Sequence, residues 1–337
     1  MPSLERDSNR IVIAGASSLL GAELKSLLEE SRFAGWDLRL VDEVTAAGTL
    51  TEAGGEPAVI LSVEEGSFER ARFVFFTGSP AFALRNCASA WGAGAQVIDL
   101  TCSADEGREA PSPWFRELDQ LWCTKFTPKC RVYSVFSAPA VALARLSLGL
   151  RVLGLKRLSA VVFRPVSEAG REGIEELESQ TSHLLSFQSI GQTVFDTQVA
   201  FNVRDRFGEA SKQNLAEARK RVVAEVEACV AGSGVMPAIQ VLHVPVFYGY
   251  TFMACAEMEA GASHDAIIAE CSKAGFLVTN PGDAGPSNLS VAGESEIHLA
   301  PPQADSSQPG TWWFWGAADH LRFQAASAVE LAGKLVE

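Results

Sequence analysis

From residue 10 to about 136, short apolar runs alternate with amphipathic stretches, the pattern of parallel strands joined by helical crossovers. The runs are IVIAG at 11–15, LRLVD at 38–42, AVIL at 58–61, RFVFFTG at 72–78, AQVIDL at 95–100 and RVYSVF at 131–136. Apolar positions recurring at three and four residues predict helices over Leu19–Glu30 and Pro80–Trp91, the second opening on a proline suited to a first helical turn. This half reads as a doubly wound parallel sheet. After residue 150 the runs lengthen, as in LKRLSAVVFRPVS and IQVLHVPVFYGYTFMACAE, each read as one strand, with helices at about 170–186 and 212–230. APPQADSSQPG is expected to link two antiparallel strands that end in TWWFWGA, and a last helix covers Asp319–Val336. The second half is therefore α+β. The aromatics Trp312–Trp315 are expected to fill a core or an oligomer interface.

With 337 residues, two domains are the expectation: 1–137 with 318–337 as a Rossmann-like nucleotide-binding domain, and 138–317 as a second domain. A hydrophobic fraction of 47% against 20% charged is that of a globular protein. The 41 acidic and 28 basic side chains leave a net charge of −13, which opposes attraction to nucleic acid and to anionic membranes. The polar start MPSLERDSNR does not read as a secretory signal, and seven scattered cysteines without a CxxC pair read as reduced cytoplasmic thiols. The five histidines have no metal-ligand spacing, and no GxSxG elbow, P-loop or Tyr-x-x-x-Lys dyad is present, so no metal is expected.

The strand–GASSLLG–helix succession is the context in which backbone amides and a helix N-terminus meet a pyrophosphate. Gly15, Ser17, Ser18, Leu19, Leu20 and Gly21 form the candidate cofactor turn, with Thr77 and Gly78 at the end of a neighbouring strand. Asp42, about 20 residues beyond Gly21, is placed to accept from an adenosine ribose, which favours NAD over NADP. Ser18 stands where such a turn usually needs the absence of a side chain, so the same turn also reads as simple strand–helix packing.

IVIAGASSLLGAELKSLLEE, AQVIDL, VSEAGREGIEELESQT, VAFNV, HVPVF and WFWGAADHLRFQAA together resemble the aspartate-semialdehyde dehydrogenase family along nearly the whole chain. The resemblance implies a cytosolic homodimer with a nucleotide-binding domain, a catalytic and dimerisation domain, and NADPH-dependent reduction of aspartyl phosphate through a cysteine thioester with a histidine acid/base. It also maps the family's functional positions onto this chain. The nucleophile falls on Ala138, the histidine on Tyr250, the substrate-binding arginine on His243 and the acyl-orienting glutamine on Arg164. The phosphate-binding arginine falls near Asp105, and the Glu-x-x-Lys pair becomes Ala210 and Gln213, with Lys212 one residue out of place. In the last segment His320 and Gln324 replace asparagine and glycine. Cys102 and Cys130 are the substitute thiols considered. The expectation is a degenerate, dimeric protein that binds a nucleotide or small ligand without the parent activity. The alternatives are an NADH-dependent reductase in which Arg164 and Tyr250 polarise a carbonyl, or aspartate-semialdehyde dehydrogenase activity itself.

Overall fold

Strand β1 (Arg10–Ala14) is buried at every position after its first, as expected of an apolar run placed in the middle of a parallel sheet with both faces covered. The computed structural model describes residues 9–102, 111–125, 130–230, 232–259 and 261–337. The chain falls into two compact units, one of Met1–Arg116, Phe126–Phe136 and Gln324–Glu337, the other of Glu117–Lys125 and Ser137–Phe323.

In the first unit α1 (Leu19–Glu29) follows β1, then β2 (Asp37–Asp42), the hairpin β3 (Leu50–Ala53) and β4 (Glu56–Val59), and β5 (Leu61–Ser62). Next come β6 (Phe73–Phe76), α2 (Pro80–Gly92), β7 (Gln96–Asp99), β8 (Ser112–Trp114) and β9 (Val132–Val135). The main sheet has the order β5-β2-β1-β6-β7-β9-β8, and every neighbouring pair is parallel. The chain moves outward from β1 in one direction and restarts on its other side at β6, which is the doubly wound arrangement expected from the sequence. Leu24 and Leu28 of α1, with Ala325, Ala328, Leu331 and Ala332 of the last helix, join the core on one face; Phe82, Ala83 and Ala90 of α2 join it on the other. The run AVIL is the exception. Gly54 and Gly55, both at positive φ, turn the chain into an antiparallel hairpin that takes Ala58 and Val59, so only Leu61 and Ser62 reach the sheet, as its edge.

The second unit contains α3 (Leu118–Leu121), α4 (Ala138–Leu150), β10 (Arg157–Arg164), α5 (Gly170–Leu185), α6 (Leu215–Val230), β11 (Ala238–His243) and β12 (Tyr250–Glu257). After them come α7 (His264–Lys273), β13 (Phe276–Val278), β14 (Ile297–Leu299), β15 (Gln303–Ala304) and β16 (Thr311–Ala318). The last helix, α8 (His320–Val336), begins in this unit and continues in the first. Its mixed sheet runs β11-β10-β12-β16-β14-β13, with β15 pairing antiparallel to β16. Helix α4, buried at every position, packs against α6, α7 and the sheet. The long run at 239–257 is two strands and not one. Pro245 cannot donate to a ladder and Gly249 adopts φ +83°, so the chain leaves β11, crosses the end of β10 and returns antiparallel on its other side.

Two carboxylate and amide side chains explain why α5 and the VAFNV segment go together. Glu176, buried on α5, accepts from the amides of Thr193, Val194 and Phe195 at 2.8, 2.6 and 3.2 Å. One turn on, Gln180 accepts from Val199 and Ala200 and donates to the carbonyls of Gly191 and Thr197. A loop that lacks its own ladder thus has its polar groups satisfied by one helix face. Among the described residues no helix is long and apolar enough to cross a membrane.

Candidate functional site

At the end of β1 the backbone is packed too closely for any side chain. Gly15 has φ +98°, and a Cβ there would lie 2.1 Å from the nitrogen of Gly78. A Cβ on Gly21 would lie 2.6 Å from the Gly15 carbonyl oxygen and 2.9 Å from Oγ1 of Thr77, which itself donates to that carbonyl. These glycines are required by contact between the turn and the end of β6, whether or not a ligand binds. Ser18 is the N-cap of α1: its Oγ accepts from the Gly21 amide at 2.9 Å and donates to the Thr77 carbonyl at 2.9 Å. Asp42, 6% exposed, accepts from the Ser17 amide at 2.8 Å and from the Glu43 amide at 2.7 Å. Of the amides that could greet a phosphate, those of Ser17 and Gly21 are therefore engaged internally. Leu19 and Leu20 supply the remaining first-turn amides of α1.

Arg164, His243 and Tyr250, to which the resemblance assigned functional roles, lie in the second unit at neighbouring strand ends. Arg164 ends β10 in register with His243 at the end of β11. The crossing loop is held there by hydrogen bonds from Val166 and Ser167 to the carbonyls of Val246 and Phe247. Nη2 of Arg164 donates to Oε1 of Gln213 at 3.1 Å and to the Glu168 carbonyl at 3.3 Å, and stands 3.7 Å from the Glu168 carboxylate. The other carboxylate oxygen lies 3.8 Å from Nε2 of His320, which is 3.3 Å from Oγ of Ser167. The Tyr250 hydroxyl faces Glu168 and favours its charged form, and the Tyr250 ring meets His320 edge-on at 5.4 Å.

Burial opposes the charge on Glu168, but Arg164, then His320 and Arg221, and the Tyr250 hydroxyl outweigh it and hold its carboxyl below the usual range. Burial, reinforced by Glu168, pushes the Tyr250 phenol well up. Burial pulls His320 down, against the opposing pull of Glu168 and Asp319. His243 is fully buried between the rings of Phe195 and Phe207, 5.4 Å from each. Burial and then the charge of Arg164 lower its pKa to about 4, and neither ring nitrogen has a hydrogen-bond partner among the described residues. At neutral pH the cluster thus holds the Arg164 guanidinium, the Glu168 carboxylate, the Tyr250 phenol and a neutral His243 imidazole, with His320 beside Glu168.

Ala138, 1% exposed, opens α4. Ser137 before it donates both its amide, at 2.9 Å, and its hydroxyl, at 2.5 Å, to Oε2 of Glu225. Arg221 donates to the other oxygen of that buried carboxylate at 3.0 Å. The thiols of this unit are poor nucleophiles where they are perturbed: burial, with Glu225, raises Cys229 well up, and burial, with Glu270, raises Cys271 to about 12. Cys102 and Cys130 belong to the first unit.

Lys212 reaches outward to Glu172 at 2.8 Å, whereas Gln213 turns inward to Arg164. Gln324 donates to the carbonyls of Leu100 and Val135, bridging strand ends of the first unit. Asp105 lies outside the described residues. Sequence reasoning did not single out Ser137, Ser167, Glu168, Arg221 or Glu225. Only Glu225 left a trace, as a charge set within the apolar stripe Val222, Val226, Cys229 of α6.

Residues 148–323, just over half of the chain, match the semialdehyde dehydrogenase dimerisation domain. The chain is 28% identical over 330 residues to a USG-1 protein homologue of Azotobacter vinelandii and 23% identical over 332 residues to aspartate-semialdehyde dehydrogenase 2 of Vibrio cholerae, covering 97% of each chain in both cases. A probable aspartate-semialdehyde dehydrogenase from Pseudomonas aeruginosa, 24% identical, superposes with a TM-score of 0.85 over 97% of this chain and 98% of that one. The matched domain covers more than half of the chain, and the chain belongs to the semialdehyde dehydrogenase family.

Proposed function

We propose that this protein is a semialdehyde dehydrogenase homologue without the thioester chemistry of the parent reaction, and that it acts as a self-associating protein that binds a small ligand. The observation that carries the reading is the start of α4, where a buried alanine holds the position that resemblance assigns to the nucleophile. Ser137 beside it is tied to Glu225, and Tyr250 stands in place of the proton-exchanging histidine as a neutral phenol. Removing a nucleophile or its base costs on the order of a millionfold in kcat in a serine protease, and a phenol of raised pKa does not replace an imidazole as a base at neutral pH.

Self-association is supported by the matched dimerisation domain and by the sheet face opposite the helices. There Met253 pairs with Trp315 and Cys255 with Trp313, and Met253 and Trp313 are each 40% exposed. A nicotinamide dinucleotide, which would supply or accept hydride, has the Leu19 and Leu20 amides at the start of α1 as its phosphate donors. Direct hydride transfer to a carbonyl held by Arg164 and Tyr250 is the weaker reading, because both side chains already face Glu168.

Steady-state assay of the purified protein with aspartate semialdehyde, phosphate and NADP or NAD tests the proposal. The expected result is no turnover above background. Robust turnover that survives Tyr250→Phe would sink it. A parallel titration with NADH separates the alternative: without a change in nicotinamide fluorescence or a thermal shift, hydride transfer by this protein is ruled out.

A further inference from the structure

Every cation described in the second unit's cluster has a carboxylate of the same chain beside it. Arg221 binds Glu225, and Arg164 faces Glu168. The two pairs differ in kind. Glu225 is 3% exposed and makes bonds of 2.5 to 3.0 Å, so it is a fixed part of the turn before α4. Glu168 keeps about a quarter of its side chain exposed, and its oxygens stand 3.7 Å from Arg164 and 3.8 Å from His320, longer than the 2.7–2.9 Å of a tight charged hydrogen bond. It is held by groups from three directions, Arg164 of β10, Tyr250 of β12 and His320 of α8. In Arg164, which is itself 7% exposed, Nε has no acceptor among the described residues.

A guanidinium, a phenol and an imidazole converging on one point constitute a receptor for a small anion. Here the Glu168 carboxylate of the chain itself stands at that point, at 3.7 Å from Arg164 and 3.8 Å from His320. We propose that Glu168 is a resident carboxylate that takes the place of an anionic ligand, so that this cluster refuses small anions in the intact protein and accepts them once Glu168 is removed. The inference rests on reading this cluster as a ligand site. It makes Glu168 the residue that determines the charge of what the site accepts. Two negative charges cannot both sit against Arg164 without strong mutual repulsion in this partly dehydrated setting, so an incoming carboxylate or phosphate must first displace Glu168.

Chemical rescue provides the test. In Glu168→Ala, Arg164 is a buried cation without a counter-charge; the variant is expected to melt below the wild type, and acetate or inorganic phosphate is expected to raise its Tm by roughly 3 °C or more. The wild type is expected to show no such response, and neither is Glu172→Ala, which removes the carboxylate of an exposed pair with Lys212. Glu168→Gln, which keeps the shape and deletes the charge, provides the same readout should the alanine variant fail to fold. Equal anion responses in wild type and variants would overturn the proposal, as would the absence of a response in both folded variants. Because the readout is an equilibrium shift without substrate or nicotinamide, its failure is separable from the appearance of dehydrogenase turnover, which bears on the proposed function alone.

Discussion

The Gly15–Gly21 turn of the first unit and the Arg164 cluster of the second both occupy places where a dehydrogenase would be expected to do chemistry, but they are built on different constraints. In the turn, the identities of the residues are dictated by the backbone: Gly15 is pressed against Gly78, Gly21 against Gly15, and Ser18 caps a helix. Such residues persist for packing reasons alone, whatever becomes of a ligand. In the cluster nothing in the backbone demands Arg164, Glu168, Tyr250 or His320. Their mutual satisfaction is a matter of side-chain charge and hydrogen bonding, so they report on what the site accepts. The glycine turn therefore reports on packing, and the cluster reports on the charge and hydrogen bonding of its side chains.

The difference can be broken most forcefully at Gly15. Gly15→Ala forces a Cβ into the backbone of Gly78 at a φ that disfavours it, and should cost on the order of 4 kcal/mol or more, seen as loss of soluble protein or a large fall in Tm. A variant that melts within about 2 °C of the wild type would remove the packing account of the turn. Glu225→Ala comes next. It removes the carboxylate to which the amide and hydroxyl of Ser137 and Nε of Arg221 donate, a loss of about 3 kcal/mol in urea denaturation.

His243 sharpens the comparison through pH. Its native pKa of about 4 lies below the unfolded value near 6.5, so between these values the unfolded chain binds a proton that the native protein does not. Stability is complete above the unfolded pKa and falls as the pH is lowered toward 4. Between pH 7 and pH 5 the wild type should lose about 2 kcal/mol more than His243→Leu, measured by denaturant titration at each pH. His320, also lowered, adds in the same direction. The smallest effect belongs to the turn: Ser18→Ala, which deletes an N-cap acceptor, should cost about 1 kcal/mol and leave any NADH response unchanged if the Leu19 and Leu20 amides are the phosphate donors.

Much of the fold was legible because periodicity reports burial directly. The parallel strands of the first unit and the helices α1, α2, α5 and α8 lie where the pattern of apolar positions puts them. The run at 58–61 was misleading because Gly54–Gly55 decide between hairpin and sheet, a choice that depends on what the hairpin then covers. At the site, Ala138, Arg164, His243 and Tyr250 could be named from segment resemblance, but Glu168 and Glu225 could not. Each lies on a different element from the residues it serves, or at a bend whose direction no local pattern contains, and a carboxylate in a helix or turn is ordinarily a solvated one.

By itself the chain determined the α/β architecture and the family resemblance, because these depend on local patterning and on residue type. Only the tertiary structure decided what those residues do to one another: that Asp42 is turned inward to Ser17, that His243 is held neutral between two aromatic rings, and that Glu168 closes on Arg164. The physical reason is distance. Hydrogen bonds and charge pairs act over a few ångströms between groups that the sequence separates widely, by 153 positions for Ser167 and His320 and by 224 for Gln324 and Leu100.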